Sequence, residues 1–532
     1  MKVLLVRPQI TLAMAQRLRS FVHLEPLALE IVAGGISAEH ETRIVDLESE
    51  SSPDAAFGRA LRGFRPDVIG FTAYSNQAGT VKRLAAVAKK ALPGVFVLVG
   101  GGRPAPAAAR DVWLPGVLDL VVRGEGGTAM RELMPLLKRK APLPASSALL
   151  PTDRPEFDEL AALPPPELPS YDRVPPARRQ LVDRYRYYCV WRGEPGEKLS
   201  ELFPRTATTR SSVGCPHRCS FCVVPYLARG KYVRRTPEDI VDEIAGIREE
   251  HIYFVDDEMF IDTGRAAKIA RLLMDRNVRK HYESWARADT VANNPDLFRL
   301  WRQAGLSLVY VGLESMEPEN LADYNKGISP DVNRRSIQVL RDLGIGLHAA
   351  LMVNPDFTEE DFLKVQRTVD FVSPAEVSFT VFSPPPGTDL WKKNEARFIC
   401  RDPHAFYDCM HTILPTRLPL RKFYFNLALL WMLAARNNPW RRNKVKMRLG
   451  DLMRFLAIGA SYCWSIMNIY KDYGHAGPLV KITAKGVPAF NRRVPRRREV
   501  ARWKTKFTSR NFASFAPSRY IFQEGRNKAK TP

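Results

Sequence analysis

The sequence predicts an α/β protein made of two successive parallel-sheet units followed by a mainly helical, basic C-terminal region. Three observations carry this. Short apolar runs alternate with amphipathic helical patterns through residues 1–140, the alternation resumes between 206 and 382, and a proline-rich stretch separates the two. At 532 residues the chain is long enough for about two to four separate cores.

In the first unit the strand patterns fall at 2–6, 42–46, 67–71, 95–100 and 118–122, with helical patterns at 26–38, 53–62, 80–91, 105–112 and 128–138. Strand alternating with helix gives a doubly wound parallel sheet, and such sheets take ligands at the carboxyl ends of their strands. The residues at those ends are Arg7-Pro8, Thr72-Ala73-Tyr74-Ser75-Asn76, Gly100-Gly101-Gly102 and Arg123-Gly124-Glu125-Gly126. Glycines there let the backbone approach a large flat ligand. No GxGxxG follows the first strand, which argues against a dinucleotide. His23 and His40 are expected at the surface or on helix flanks.

Residues 141–204 form the connection. The stretch 141–176 is rich in proline and reads as an extended connector with little core of its own. The aromatic run RYRYYCVW that follows is expected to pack beneath the second unit.

A β-rich run at 206–213 then delivers Gly214-Cys215-Pro216-His217-Arg218-Cys219-Ser220-Phe221-Cys222. Three of the seven cysteines fall here at CxxxCxxC spacing. Zinc ribbons use C-x₂-C pairs and need a second pair, which is absent. A cube-type iron–sulfur cluster has four irons, so three thiolates on one compact loop leave one iron open. Thr236 and Pro237 then start a helix predicted over 237–249, as N-cap and first helical residue. Further strands are predicted at 251–255, 282–287, 308–312, 346–353 and 376–382. Asp256-Asp257-Glu258 follow the second strand of this unit, Arg287 ends the third and Glu314-Ser315 follow the fourth.

The cysteine loop, with Phe221 before its third cysteine, resembles the signature of the radical SAM superfamily. That resemblance implies a partial (β/α)₆ barrel over residues 205–390, holding a 4Fe-4S cluster on Cys215, Cys219 and Cys222 and S-adenosylmethionine at the open iron. It also implies roles at the strand ends. One of Asp256, Asp257 and Glu258 would pair with the SAM ammonium, Arg287 would clamp its carboxylate, and Glu314, beside Ser315, would bind the ribose hydroxyls. The segments PLALEIVAGGISAEHETRIVDLE, PDVIGFTAYS, VLVGG and DLVVRGEGG make residues 1–140 resemble the cobalamin-binding, Rossmann-like domain ahead of many such barrels. Pro8, Thr72, Tyr74, Ser75, Gly100, Gly101, Gly124, Glu125 and Gly126 would then face the cobalamin. The DxHxxG loop that supplies an axial imidazole in some cobalamin proteins is absent, so the resemblance implies cobalamin without a protein histidine ligand. Within the superfamily, VDDEMFID, YVGLESMEPENLADYNKG, PDFTEEDF and FTVFSPPPGTDL are most similar to the hopanoid carbon-3 methylase group. This implies methylation of an unactivated carbon, with a lipid or other small molecule as substrate and an electron donor of flavodoxin or ferredoxin type. The alternative is a cyclase or oxidoreductase like the anaerobic magnesium-protoporphyrin ester cyclase, with no methyl transfer.

The net charge of +23 lies entirely in residues 391–532, where 30 Lys and Arg face 7 Asp and Glu. The body of the protein is balanced, so any anionic partner is met at the C-terminal end. Apolar helical patterns at 423–435 and 455–470 within a helical domain at 391–484 suit either a cap on the barrel or contact with an anionic membrane surface. The first is too short to cross a bilayer. A basic tail at 485–532 alternates cationic and aromatic residues without an RNA-binding motif, so nucleic acid is not the expected partner. Cys400, Cys409 and Cys463 are too far apart in sequence for a compact second cluster and are expected to be core thiols. Few cysteines and no apolar leader pattern predict a cytoplasmic protein, peripheral to the inner membrane face if its C-terminal helices bind lipid.

Overall fold

The computed structural model describes residues 1–10, 12, 16, 19, 21–101, 116–164, 166–171, 174–190, 203–435 and 449–475. The helix expected at 105–112, Gly102, the cationic run 436–448 and the tail from 485 lie outside the described residues.

The N-terminal sheet contains β1 (Lys2–Arg7), β3 (Glu41–Asp46), β4 (Val68–Thr72), β5 (Phe96–Gly100), β6 (Leu120–Val122) and β7 (Leu149–Pro151), while β2 (Val22–His23) lies outside it. Its spatial order is β3-β1-β4-β5-β6-β7, parallel except for β7. The chain reverses direction of winding between β1 and β4, and such a switch point opens a crevice at the carboxyl ends of the strands. Helices α1 (Leu27–Gly34), α2 (Pro53–Phe64), α3 (Ala78–Ala91) and α4 (Gly126–Arg139) cover both faces. Alternation along β1 divides the core. Leu4 and Val6 pack with Phe57 and Phe71 on one face, Val3 and Leu5 with Leu29 and Leu133 on the other. Each such buried aliphatic side chain contributes about 1.5–3 kcal/mol.

The proline-rich connector differs from its expectation. Its first part supplies β7 and a helix at Phe157–Ala162, and Leu150, Phe157 and Ala161 enter the core beside Phe71. Prolines suppress helical and strand patterns in the sequence, yet an antiparallel edge strand tolerates them. The aromatic run is partly as expected. Tyr187, Tyr188 and Cys189 are buried, and β8 (Tyr188–Cys189) pairs with β2, while Tyr185 stays exposed. That pairing corrects His23, which is buried between Tyr187 and Tyr188 with Nε2 2.8 Å from Ser49 Oγ. His40 is buried too, its Nδ1 3.3 Å from the terminal amine of Met1.

The second sheet runs in chain order: β9 (Thr206–Thr209), β12 (His251–Phe254), β13 (His281–Arg287), β14 (Leu306–Glu314), β15 (Gly346–Val353) and β16 (Glu376–Val381), all parallel. Helices α5 (Pro237–Gly246), α6 (Thr263–Asp275), α7 (Pro295–Ala304), α8 (Pro330–Asp342) and α9 (Glu359–Val372) connect them. Thr236 caps α5 by accepting from Asp239 N, and Thr358 forms a capping box with Asp361 at α9. β9 and β16 are edges, so the barrel is open on one side.

The run at 206–213 is not one strand. β9 stops at Thr209, and β10 (Ser212–Val213) pairs antiparallel with β11 (Val233–Arg234), so the cysteine loop hangs from a short ribbon. In the C-terminal region, α10 (Leu420–Ala434) packs on α9 and β16, where a sixth barrel helix belongs, and α11 (Leu449–Asn468) packs on α10. Phe423, Leu427, Tyr462 and Ile466 join the same core as the barrel. Phe425, Leu429 and Met432 on α10, and Leu449, Met453 and Leu456 on α11, recur every three or four residues and remain exposed, as does Trp464 two turns further along α11. Among the described residues no helix is long and apolar enough to cross a membrane. Cys400 and Cys463 are buried as expected, but Cys409 is exposed, in a left-handed turn (φ 65°) whose carbonyl accepts from Val381 N at the end of β16.

Candidate active site

The head of the cysteine loop is fastened by two of the three carboxylates that follow β12. Asp256 accepts from Ser211 N and from the hydroxyls of Ser211 and Ser212, Asp257 from Gly214 N at 2.7 Å, and Glu258 from Phe260 N and Arg287 N. Gly214 is required, because its φ is +94° and a Cβ would lie 2.1 Å from the Lys231 carbonyl oxygen. Burial pushes the Glu258 carboxyl up to about 7, against the pull of its two backbone donors.

The middle of the loop is held by the turn after α8's preceding strand, β14. Ser220 N donates to Tyr324 O, Asn325 Nδ2 donates to Arg218 O, and the Phe221 ring meets Tyr324 edge-on at 5.9 Å with Lys326 Nζ 5.6 Å above it. Arg287 donates to Cys219 Sγ at 3.4 Å, to Asp289 and to the Lys326 carbonyl. The guanidinium therefore lies against Cys219, with its fork held by Asp289 and the Lys326 carbonyl. Cys219 is buried, and Cys215 and Cys222 are partly open. Burial raises the Cys215 thiol and pushes Cys222 up to about 11.

At the end of β14 the pairing with β15 slips between Gly312 and Glu314, and Glu314 takes φ 61°. Its Oε1 pairs with Lys326 Nζ at 3.0 Å. A Cβ on Gly312 would come within 2.5 Å of that carboxylate, so the strand end is kept open there. Ser315 turns into its own loop, accepting from Glu317 N and Asn320 Nδ2. Lys326, Tyr324 and Asp289 had no role in the sequence reading, although 324–327 lies inside one of the quoted motifs. Their signal was a cation and an acid beside strand-end partners of opposite charge.

A cavity of about 280 Å³ lies between the two sheets. Thr72, Gly100, Gly101, Gly124, Glu125 and Gly126 line it from the first sheet, and Arg210, Val213, Tyr226 and Asp257 from the second. The connector crosses it with Pro166, Leu168, Pro169 and Tyr171. Of the nine residues expected at this site, Pro8, Tyr74 and Ser75 are not in the lining. Pro8 O accepts from Gln77 Nε2, and the Tyr74 backbone N–H donates to Gln77 Oε1 while its ring stays exposed. Glu125 caps α4 by accepting from Gly127 N and Thr128 N. Gly101 (φ +121°) and Gly124 (φ +91°) are needed for packing as well, since a Cβ would press on Thr72 Oγ1 or Pro166 Cγ.

These residues fit the groups that the sequence resemblances imply. Among the described residues, no three His, Cys, Asp or Glu side chains converge as a single metal ion requires, yet the three loop thiols lie within electrostatic reach of one another. That arrangement suits a cluster of several metals. The lining of the cavity is mostly apolar and, among the described residues, contains no histidine, which suits a large flat ligand held by contact.

Comparison with known proteins agrees. The model of the radical SAM superfamily matches residues 209–369, and that of the B12 binding domain matches 19–134. The chain is 32% identical over 465 residues to the hopanoid C-3 methylase of Methylococcus capsulatus, covering 85% of this chain and 84% of that protein. It is 23% identical to the anaerobic magnesium-protoporphyrin IX monomethyl ester cyclase of a Synechocystis species, covering 77% and 81%. The solved structure of OxsB, a cobalamin-dependent S-adenosylmethionine radical enzyme with aqua-cobalamin and S-adenosylmethionine bound, superposes with a TM-score of 0.54 at 18% identity. That match covers 70% of this chain and 52% of OxsB, so the chain spans about half of its length.

Proposed function

The chain belongs to the cobalamin-binding radical SAM family, and from that premise we propose that it methylates an unactivated carbon of a membrane lipid of the hopanoid class. It is a radical SAM methylase whose cofactors are a 4Fe-4S cluster, S-adenosylmethionine and cobalamin. When bound, these supply hydrogen-atom abstraction and a transferable methyl group. The protein contributes position and exclusion of water.

The observation that carries the reading is Asp257. One carboxylate both lines the cavity between the sheets and anchors Gly214 at the head of the cysteine loop, so the two cofactor sites share a wall. In this reading Cys215, Cys219 and Cys222 ligate the cluster, Phe221 and Tyr324 hold the loop's shape, and Arg287 and the Glu314–Lys326 pair receive the polar ends of S-adenosylmethionine. Asp256 and Glu258 fix the loop and β13. Thr72, Gly100, Gly101 and Gly124 to Gly126 receive cobalamin, with Pro8, Tyr74 and Ser75 at the margin. Residues 1–140, 205–390 and 391–484 act as cobalamin, barrel and docking units.

A lipid substrate is supported by the exposed apolar stripes on α10 and α11 within a strongly cationic region. They would bring the enzyme to the inner membrane face, where a flavodoxin- or ferredoxin-type donor supplies electrons. Purified protein, reconstituted without oxygen and given S-adenosylmethionine labelled in its methyl group, is expected to label a hopanoid. Deoxyadenosine release with no label in any product would favour the cyclase-type reading, which the Synechocystis relative supports.

A further inference from the structure

The inner face of the half-barrel carries a row of polar and aromatic side chains that the cofactors do not use. Ile252, Phe254, Tyr282, Val309, Leu347 and Phe379 point outward into the helical core. Alternation therefore turns Glu283, Trp285, Tyr310, His348, Glu376 and Ser378 to the lumen. Strand register sets them side by side, with Trp285 opposite Tyr310, Tyr310 opposite His348, and His348 opposite Glu376. The Trp285 and Tyr310 rings lie 3.7 Å apart between centroids, and Tyr310 and His348 4.4 Å. Tyr310 Oη is 2.9 Å from Ser378 Oγ, and His348 Nδ1 is 3.2 Å from Glu376 Oε2.

Closed eight-stranded barrels fill their interiors with branched aliphatic residues, whereas this open six-stranded one carries polar and aromatic side chains there. Among the described residues, two buried polar atoms on this face have no partner: Glu283 Oε2, on a side chain 3% exposed, and His348 Nε2. Buried polar atoms are rarely left so unless something comes to meet them. Burial and the neighbouring Glu376 raise the Glu283 carboxyl well above the usual carboxylate range, which favours the form that both donates and accepts. With Nδ1 turned to Glu376, the imidazole offers Nε2 to the lumen. A ligand atom meeting both must itself be able to donate and accept, as a hydroxyl does. Glu283 stands four residues before Arg287 on β13, roughly 13 Å at the rise of a strand, and Arg287 touches Cys219. A rigid fused-ring skeleton of that length spans the interval.

We propose that Glu283 and His348 bind a hydroxyl group of the substrate, so that the lipid taken by this enzyme is hydroxylated and lies with its hydroxyl deep in the barrel and its reacting carbon toward the cysteine loop. This rests on the lipid methylase reading above. Trp285 and Tyr310 form the wall along which the skeleton lies.

The test is equilibrium binding to the reconstituted full-length protein of two micelle-dispersed ligands: a hopanoid hydrocarbon, and the same skeleton bearing one hydroxyl. The hydroxylated ligand is expected to bind roughly tenfold to a hundredfold more tightly. Glu283→Leu and His348→Phe should each bring the two affinities together by weakening the hydroxylated ligand alone, and Glu283→Gln, which keeps a donor and an acceptor, should retain most of the preference. Equal affinity of the two ligands for the wild type, or an undiminished preference in both Glu283→Leu and His348→Phe, overturns the proposal and leaves the lipid reading standing. Failure of both ligands to bind at all removes the lipid reading, and this proposal with it.

Discussion

The two parallel sheets are built from the same strand–helix repeat and end as different kinds of surface. In the first, helices cover both faces, and Val3, Leu4, Leu5 and Val6 are all fully buried. Such a sheet has only its strand ends to offer a ligand. In the second, curling leaves one face uncovered, and the strands read apolar outside and polar or aromatic inside. The difference teaches that a flat, doubly covered sheet confines function to its rim, whereas a curled one gains an inner wall.

The comparison is broken most completely by Cys219→Ala. Deoxyadenosine formation should be lost altogether, while the visible absorption of bound cobalamin persists, because Cys219 does not line the cavity between the sheets. Next in size is Phe71→Ala in the first sheet, which is expected to cost about 3–5 kcal/mol in chemical denaturation. Its ring is buried against Phe57. Gly101→Ala should cost less, about 1–3 kcal/mol, and should lower cobalamin uptake with little change in deoxyadenosine release, since the added Cβ meets Thr72 at the cavity wall.

The smallest expected effects are in the response to pH, and they have opposite signs in the two regions. His23, at the margin of the first sheet, is lowered to about 3 by burial and by Arg7. Its unfolded form takes a proton near 6.5, so stability is whole above that pH and falls as pH drops toward 3. His411 lies between Asp408 and Asp472, at 2.9 and 3.1 Å, and is raised to about 9. Although its burial opposes the charge, the two carboxylates prevail, so its contribution is whole below about 6.5 and is lost as pH rises through 9. Asp472 lies just beyond α11, so mild alkali should loosen the C-terminal helices first, and His411→Gln should flatten that dependence in a denaturation series. Backbone hydrogen exchange checks where the loosening begins.

Much of this architecture was legible because alternation and spacing are local. Both sheets, most helices and the cysteine loop could be read from runs of fewer than about fifteen residues. What escaped depends on partners far away in sequence. His23 and His40 look polar and local, but β8 and the terminal amine bury them. Phe157 lies in a proline-rich stretch and gave no periodic signal, although it completes a core. The break after Thr209 follows from Asp256 pulling Ser211 and Ser212 aside, which no reading of the run itself contains. Glu283 and Glu376 sit in strands of mixed composition, HYESWAR and EVSFTV, and only curvature decides which face becomes a wall. Cys409 was placed in the core by type, and its left-handed turn turns it out.

Glu25 is buried beside β2 and accepts from Thr208 N, Thr208 Oγ1 and Arg179 Nη1, and the first of these donors is 183 residues further along the chain. At ribosomal speeds of about 5–20 residues per second, that donor leaves the exit tunnel roughly ten to forty seconds after the acid does. For most of that interval, until Arg179 emerges, the nascent N-terminal sheet has no partner for this carboxylate at its border. The cobalamin half can therefore condense early, but it cannot be sealed until the first strand of the barrel has been translated.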